Sequence, residues 1–330
     1  MPPAPHLPPL PSGGEIVTAV TVLLIGAAAA WALVVWLFAR GLLRPPRMTD
    51  AKALRTLGRL TPQDLGLAYQ SLRWTIRDPT AGDTLPIAAW WIPAPRRSAR
   101  TVVLVHGFAD AKVGALAWAP LWHDLGFNVC AIDLRAHGDS GGAVCTAGYH
   151  ERHDLDQLLD RLRRDYPHAT PAGVVLFGIS LGATVVAATA AARDDLAAIV
   201  LDSPHADYRQ AVAAHAQLLQ LPGRWISGPA LRVCQWLTGA NFAAVAPAIT
   251  IPQVRCPVLI LTGEHDPFCT PAVRDRLTPH ATIRVFPGVA HLMSYPSAPD
   301  AYRAAIADFL RDQSESAKEP RNTHGAMSRQ

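Results

Sequence analysis

The chain has 330 residues, half of them hydrophobic and only 17% charged, which is enough to bury a large α/β core with appended segments. A net charge of +4, with basic residues scattered rather than gathered into a patch, leaves no electrostatic footprint for nucleic acid. The five cysteines (Cys130, Cys145, Cys234, Cys256, Cys269) are odd in number and far apart, which argues against a disulfide framework or zinc site and favours a reducing compartment.

Residues 1–15 are rich in proline and are expected to form an extended, disordered tail. Residues 16–38 follow without a single charge. As a helix this run would be about 35 Å long, enough to cross the hydrocarbon core of a bilayer. A cleaved signal peptide is disfavoured, because no basic residue precedes the run and it is too long for a signal h-region. A buried soluble helix is rarely apolar on every side. The run is therefore expected to be a single membrane span. Arg40, Arg44, Arg47, Lys52, Arg55 and Arg59 follow it and no Lys or Arg precedes it, so the positive-inside rule places the rest of the chain in the cytoplasm. Residues 39–60 read as a basic linker.

A soluble domain is expected over residues 61–312. Residues 71–76 and 85–92 predict paired strands joined by the turn-like stretch 78–83. Short apolar strands are expected at 101–105, 128–132, 174–177, 197–201, 258–262 and 282–286. Helices fall between them, near 115–125, 149–166, 181–192, 271–277 and 300–310. An opening hairpin followed by this alternation implies a mostly parallel sheet covered by helices on both faces. The interval 204–248 is too long for a plain crossover and carries Trp225, Trp236 and Phe242 on helix-like segments. It reads as an inserted cap whose tryptophans belong to its core, with one of them a candidate wall of the pocket. Residues 313–330 are polar and expected to be disordered.

In an open parallel sheet, ligands gather beyond the carboxyl ends of the strands, so the residues that follow strands are the candidates. Gly178-Ile179-Ser180-Leu181-Gly182 ends the strand at 174–177 and opens an Ala-rich helix. That context strains the serine backbone, demands glycine where strand and helix approach, and leaves unpaired N–H groups beside the hydroxyl. A serine hydroxyl needs a base, and the base needs a carboxylate to hold its tautomer. Asp266 follows the strand at 258–262 and His291 follows the strand at 282–286, giving the chain order Ser, Asp, His. Two further strand ends carry His106-Gly107-Phe108 and the run from Asp133 through Arg135, His137 and Gly138 to Ser140.

Together these motifs resemble the α/β-hydrolase superfamily over about residues 72–310. The N-terminal span and hairpin resemble the membrane-anchored bacterial serine hydrolases of that superfamily, which are related to esterases and monoacylglycerol lipases. The resemblance implies an α/β-hydrolase fold with an inserted helical cap, and no cofactor or metal. It implies Ser180 as nucleophile, His291 as general acid/base and Asp266 as the orienting acid. The oxyanion hole would be the backbone N–H groups of Phe108 and Leu181, with His106, Gly107, Gly178 and Gly182 in support. Ala136 departs from the pattern, which usually has glycine in that loop. The implied activity is hydrolysis of carboxylic esters or thioesters, with apolar and lipid-derived acyl groups favoured as substrates. An amidase or peptidase would share the constellation, and an inactive membrane-bound binding module would share the fold.

Several residues invite other readings. Asp202 is a second candidate acid, although a structural role at the start of the cap is preferred. His150, His153 and Asp154 have a helical metal-binding spacing but no third convergent ligand, and their segment is expected to be a solvated charged face. Asp133 and His137 are expected to staple their loop, and His265 to form a wall of the site.

Overall fold

A computed structural model describes residues 12–78 and 82–316 of the chain. Most of the two expected tails, residues 1–11 and 317–330, lies outside the described residues. Eight strands form one sheet: β1 (Gln70–Arg77), β2 (Thr84–Ile92), β3 (Thr101–Val105), β4 (Asn128–Ile132), β5 (Val174–Ile179), β6 (Leu196–Asp202), β7 (Val258–Gly263) and β8 (Thr282–Phe286). Their order across the sheet is β1-β2-β4-β3-β5-β6-β7-β8. The β1–β2 hairpin and its junction with β4 are antiparallel, and every other pairing is parallel.

The period of two along each strand divides the core into two layers. Val102, Leu104, Val175, Phe177 and Val200 point to one face, where they meet Trp122, Ile306 and Phe309. Val103, Val105, Leu176, Ile199 and Ile260 point to the other, where they meet Leu155, Leu159 and Val185. Because both faces are covered, β3, β4 and β5 are buried at every position, which is why they read as continuous apolar runs.

The helices, in chain order, are α1 (Gly13–Leu43), α2 (Asp50–Leu57), α3 (Lys112–Ala115), α4 (Ala119–Asp124), α5 (Glu151–Asp165), α6 (Leu181–Ala190), α7 (Tyr208–Leu218), α8 (Gly223–Thr238), α9 (Pro247–Thr250), α10 (Pro271–Leu277), α11 (Ser294–Ser297) and α12 (Pro299–Ser316). Several boundaries differ from expectation for local reasons. A reciprocal capping box between Ser12 and Glu15 starts α1 before the apolar run begins. At its other end α1 continues to Leu43, so the first part of the expected linker is helix. The linker also contains α2, capped by Thr49 and stopped by Gly58 in the left-handed conformation. The helix expected near 115–125 is split into α3, a 3₁₀ turn and α4, because Pro120 lacks an N–H and restarts a helix in its first turn. Likewise α12 runs past Gln313 to Ser316, into the expected tail.

α1 is long and apolar enough to cross a membrane. From Gly13 to Val34 it is exposed throughout, a length of roughly 33 Å at 1.5 Å per residue. Its last turns are different. Val35, Phe38, Ala39, Leu42 and Leu43 are buried in a cluster with Ile226, Ala230 and Cys234 of α8, and the Cys234 thiol lies 3.5 Å from the Ala39 carbonyl. Ala230 and Cys234, one turn apart on α8, and Ala39 on α1 are small and let the two helices approach closely there. That arrangement overturns the expectation for the cap tryptophans. Trp225 and Trp236 lie on the opposite side of α8, 61% and 79% exposed, because Ile226, Ala230, Leu231 and Cys234 form the inward face and the helical period carries positions 225 and 236 away from it. Phe242, by contrast, is in the cap core, stacked on Tyr208 at 5.2 Å.

The segment after α1 is fastened to the domain rather than free. The Arg47 guanidinium donates to the carbonyls of His137, Gly138, Ser140 and Gly142, all in the loop that follows β4.

Candidate active site

The sheet order creates the crevice. β3 pairs in parallel with β4 on one side and β5 on the other, so the chain leaves β3 in one direction and returns on the opposite side. Loops beyond the carboxyl ends of β3 and β5 therefore diverge and leave a cleft between them. Register decides what lines it. Gly178 pairs with Val105 and with Leu201, so the loop after Val105, the Ser180 turn and Asp202 stand side by side. Gly263 pairs with Phe286, which brings the loops bearing Asp266 and His291 together.

Ser180 sits at the N-cap of α6 with φ +52 and ψ −110, a conformation that L-residues avoid. Both flanking glycines are required by space. A Cβ on Gly178 would lie 2.5 Å from the Gly182 carbonyl oxygen, and one on Gly182 would lie 2.2 Å from that of Val105. Gly107 is less crowded, since a Cβ there would lie 3.4 Å from the Ile179 carbonyl oxygen and 3.5 Å from the Ser180 Cβ. Among the described residues the non-glycine positions with positive φ include Ala109, Ser180, Ser203 and Leu292, so strain gathers around this crevice.

His291 Nε2 lies 3.0 Å from Ser180 Oγ, and its Nδ1 lies 2.8 Å from Asp266 Oδ2. The other Asp266 oxygen accepts the N–H groups of Phe268 at 2.8 Å and Cys269 at 3.2 Å. Burial pushes the Asp266 carboxyl up, but the hydrogen bond and charge of His291, with the Phe268 N–H, outweigh burial and hold it below its ordinary value. An ionised Asp266 selects the Nδ1–H tautomer of His291, which leaves the Nε2 lone pair facing the serine hydroxyl. The Phe268 ring packs 4.6 Å from the imidazole. Among the described residues, neither the Phe108 N–H nor the Leu181 N–H has a hydrogen-bond partner.

With the fold and this geometry in view, comparison with solved structures is informative. The esterase Pf2001 of Pyrococcus furiosus superposes with a TM-score of 0.65 at 22% identity, over 82% of this chain and 98% of its own. The α/β-hydrolase GrgF from Penicillium sp. sh18 superposes with a TM-score of 0.59 at 16% identity, over 75% and 99%. The chain has the α/β-hydrolase fold. A family described as "Serine aminopeptidase, S33" matches residues 96–240, a span that holds Phe108, Ser180 and Leu181 but ends before Asp266 and His291. Among curated proteins, YqkD of Bacillus subtilis is 27% identical over 68% of this chain and 75% of its own length. Rv2307c of Mycobacterium tuberculosis is 27% identical over 63% and 69%. Both of these relatives are described as uncharacterized.

The remaining candidates shape the loops. His106 is fully buried; its Nε2 accepts the Leu134 N–H at 3.0 Å, so its proton is on Nδ1 and donates to the Gly107 carbonyl at 2.7 Å. Burial, with the nearby His137, holds its pKa well below the ordinary value, so the ring stays neutral. The Gly107 carbonyl and the Phe108 N–H belong to one planar peptide unit and point opposite ways. Pinning the carbonyl therefore aims the Phe108 N–H. His137 does a similar task, accepting the Ala109 N–H at 3.3 Å and contacting the Arg135 carbonyl at 2.8 Å. Asp133 accepts from the Lys112 backbone and ammonium and from the Asp139 N–H, as a staple. Ala136 adopts φ +59, which explains why glycine is the usual choice there and shows that alanine still makes the turn.

Two expectations fail. The segment from Glu151 to Asp156 is not a solvated face: Glu151 and Asp154 are buried. Glu151 accepts from Thr146 and Gly148 at the start of α5, and Asp154 forms a two-pronged pair with buried Arg135 at 2.6 and 2.7 Å. The charges are buried because each has a dedicated partner. His265 is exposed on its turn, and its backbone N–H donates to the Val289 carbonyl.

Asp202, the alternative acid, is occupied elsewhere. Its oxygens accept the Tyr302 hydroxyl at 2.6 Å and the Ser203 hydroxyl at 3.0 Å, while Trp118 Nε1 donates to Tyr302 at 3.1 Å. Nothing local in the sequence marks Tyr302 or Ser203 as members of this network; the strand-end position of Asp202 is the only clue. Burial pushes the Asp202 carboxyl up to about 6, against its hydrogen bonds from Tyr302 and Ser203. An acid whose folded pKa is raised contributes stability below its unfolded pKa and loses it as pH rises through the folded value. Asp202→Asn removes that dependence. Between about pH 4 and pH 7 the wild type should lose roughly 3 kcal/mol relative to the variant. Thermal melts of both proteins at the two pH values check this; a constant offset would contradict it.

Proposed function

We propose that this α/β-hydrolase is a membrane-tethered serine hydrolase that cleaves carboxylic esters or thioesters of apolar acyl groups. The observation that carries the proposal is the chain of contacts from Asp266 through His291 to Ser180, beside two N–H groups without a hydrogen-bond partner among the described residues. In this reading Ser180 Oγ attacks the acyl carbon while His291 Nε2 takes its proton. The carbonyl oxygen becomes an oxyanion held by the Phe108 and Leu181 N–H groups; each such donor is worth about 3–4 kcal/mol in the transition state. His291 then gives its proton to the departing alkoxide or thiolate. Water attacks the acyl-serine, His291 takes its proton, and the carboxylic acid product leaves as Ser180 regains its hydrogen.

Apolar acyl groups are favoured because Leu181 and Phe108 belong to the same apolar cluster as Tyr208 and Val212 of the cap and the buried end of α1. The tether is α1, with the basic residues after it directing the domain, residues 61–312 with a cap at about 204–248, to the cytoplasm. The Pyrococcus furiosus and Thermogutta terrifontis neighbours described as esterases support ester chemistry. The family description as a serine aminopeptidase favours a second reading, peptide or amide cleavage by the same groups. A panel of p-nitrophenyl esters of graded acyl length, run beside aminoacyl p-nitroanilides, separates the two. Ester turnover that rises with chain length is expected; anilide turnover without ester turnover would move the assignment to a peptidase.

A further inference from the structure

At the foot of α1, where the exposed apolar stretch ends, a cavity of about 530 Å³ opens between that helix and the C-terminal end of α8. Trp36, Arg40 and Arg44 line it from α1, Leu237 and Thr238 from α8, and His150 from the start of α5. Arg40 and Arg44 are one helical turn apart and so share a face. Among the described residues neither guanidinium has an ion pair or a side-chain hydrogen bond, and no carboxylate lines the cavity. Among the described residues His150 Nε2 is buried without a hydrogen bond of normal geometry, with the Thr238 backbone beside the ring. The site is held firmly, because the Cys145 N–H donates to the Leu43 carbonyl and ties α1 to the segment carrying His150.

We propose that this cavity binds the phosphate of an anionic phospholipid headgroup in the leaflet facing the catalytic domain, an inference that rests on α1 spanning the membrane. The level is right. With Ile16 to Val34 filling the hydrocarbon, Trp36 stands at the interface, where indole rings prefer to lie, and the two arginines stand among the headgroups. The chemistry is right as well. Guanidinium forks match phosphate oxygens, unpaired cations near an interface attract anionic lipid, and the volume lies in the range of small-ligand sites. The His150 ring nitrogen is left for a headgroup polar atom, and Trp36 and Leu237 cover the glycerol and first methylenes.

The test uses the full-length chain in vesicles of phosphatidylcholine with and without phosphatidylglycerol. Carbonate extraction comes first, followed by native mass spectrometry of the protein released into neutral detergent. The chain should resist extraction and retain phosphatidylglycerol over phosphatidylcholine by about tenfold, as expected for two charged contacts. Arg40→Ala/Arg44→Ala should lose that preference with an unchanged circular dichroism melt, and the Arg40→Lys/Arg44→Lys protein should keep part of it. A chain that stays in the vesicles but shows no preference, or a double alanine variant that keeps it, would overturn the lipid site alone. Displacement of the lipid by millimolar inorganic phosphate would overturn it in favour of a free anion. Release by carbonate would overturn the membrane reading and this site with it.

Discussion

Ser180→Ala is expected to lower kcat on an ester substrate by about 10⁶-fold while leaving the fold intact, the loss seen when a triad nucleophile is removed. What remains should be the roughly 10³–10⁴-fold advantage over water that binding and the oxyanion donors supply. The substitution leaves the architecture alone, because among the described residues the Ser180 hydroxyl hydrogen-bonds only His291 and alanine carries the same backbone strain at φ +52. Glycine would not. Ser180→Gly should be as inactive as Ser180→Ala yet melt higher, since releasing a positive-φ residue is worth about 1 kcal/mol. Steady-state turnover and thermal melts of the two variants check both halves. An alanine variant that keeps more than a small fraction of turnover would remove Ser180 from the chemistry.

Asp266→Asn carries the second largest effect, a fall in kcat of about 10⁴-fold. The asparagine can still accept the Phe268 and Cys269 N–H groups, so the turn should survive. Its amide nitrogen, however, would face His291 Nδ1 as a donor, which favours the tautomer with the proton on Nε2. That proton would point at Ser180 Oγ and block base catalysis. The carboxyl at 266 is also held below its ordinary value, so it contributes stability at neutral pH that is lost as pH falls through the carboxylate range. Asp266→Asn should therefore be less stable than the wild type at neutral pH and converge with it in acid. Asp202→Asn is the control, since its oxygens serve Tyr302 and Ser203. If it lost as much turnover as Asp266→Asn, the acid would have to be reassigned.

Much of this was legible in the sequence because it is local. The expected strands at 101–105, 128–132 and 282–286 coincide with β3, β4 and β8, since short apolar runs bounded by turn residues have few other ways to fold. β5 runs two residues further than expected because Gly178, which looks like a break, still pairs with Val105 and Leu201. The residues that meet at the crevice could be picked out because each follows a strand and chemistry restricts which types can cooperate. What escaped was decided by distant partners. Glu151 and Asp154 look like a wet helix face until Thr146, Gly148 and Arg135 are seen to receive them. Trp225 and Trp236 look like core until α8 is seen to pack its Ile226, Ala230 and Cys234 face on α1, which turns both tryptophans outward. Arg47 looks like one more linker charge, and its four carbonyl contacts lie some ninety residues away.

The most direct measurement is covalent. The full-length protein in detergent is treated with a fluorophosphonate probe, digested, and the modified peptide sequenced by mass spectrometry. The proposed mechanism predicts a single phosphonylated site at Ser180, labelling abolished in Ser180→Ala and slowed in His291→Ala. No labelling of the folded wild type, or an adduct on another residue that persists in Ser180→Ala, would contradict it.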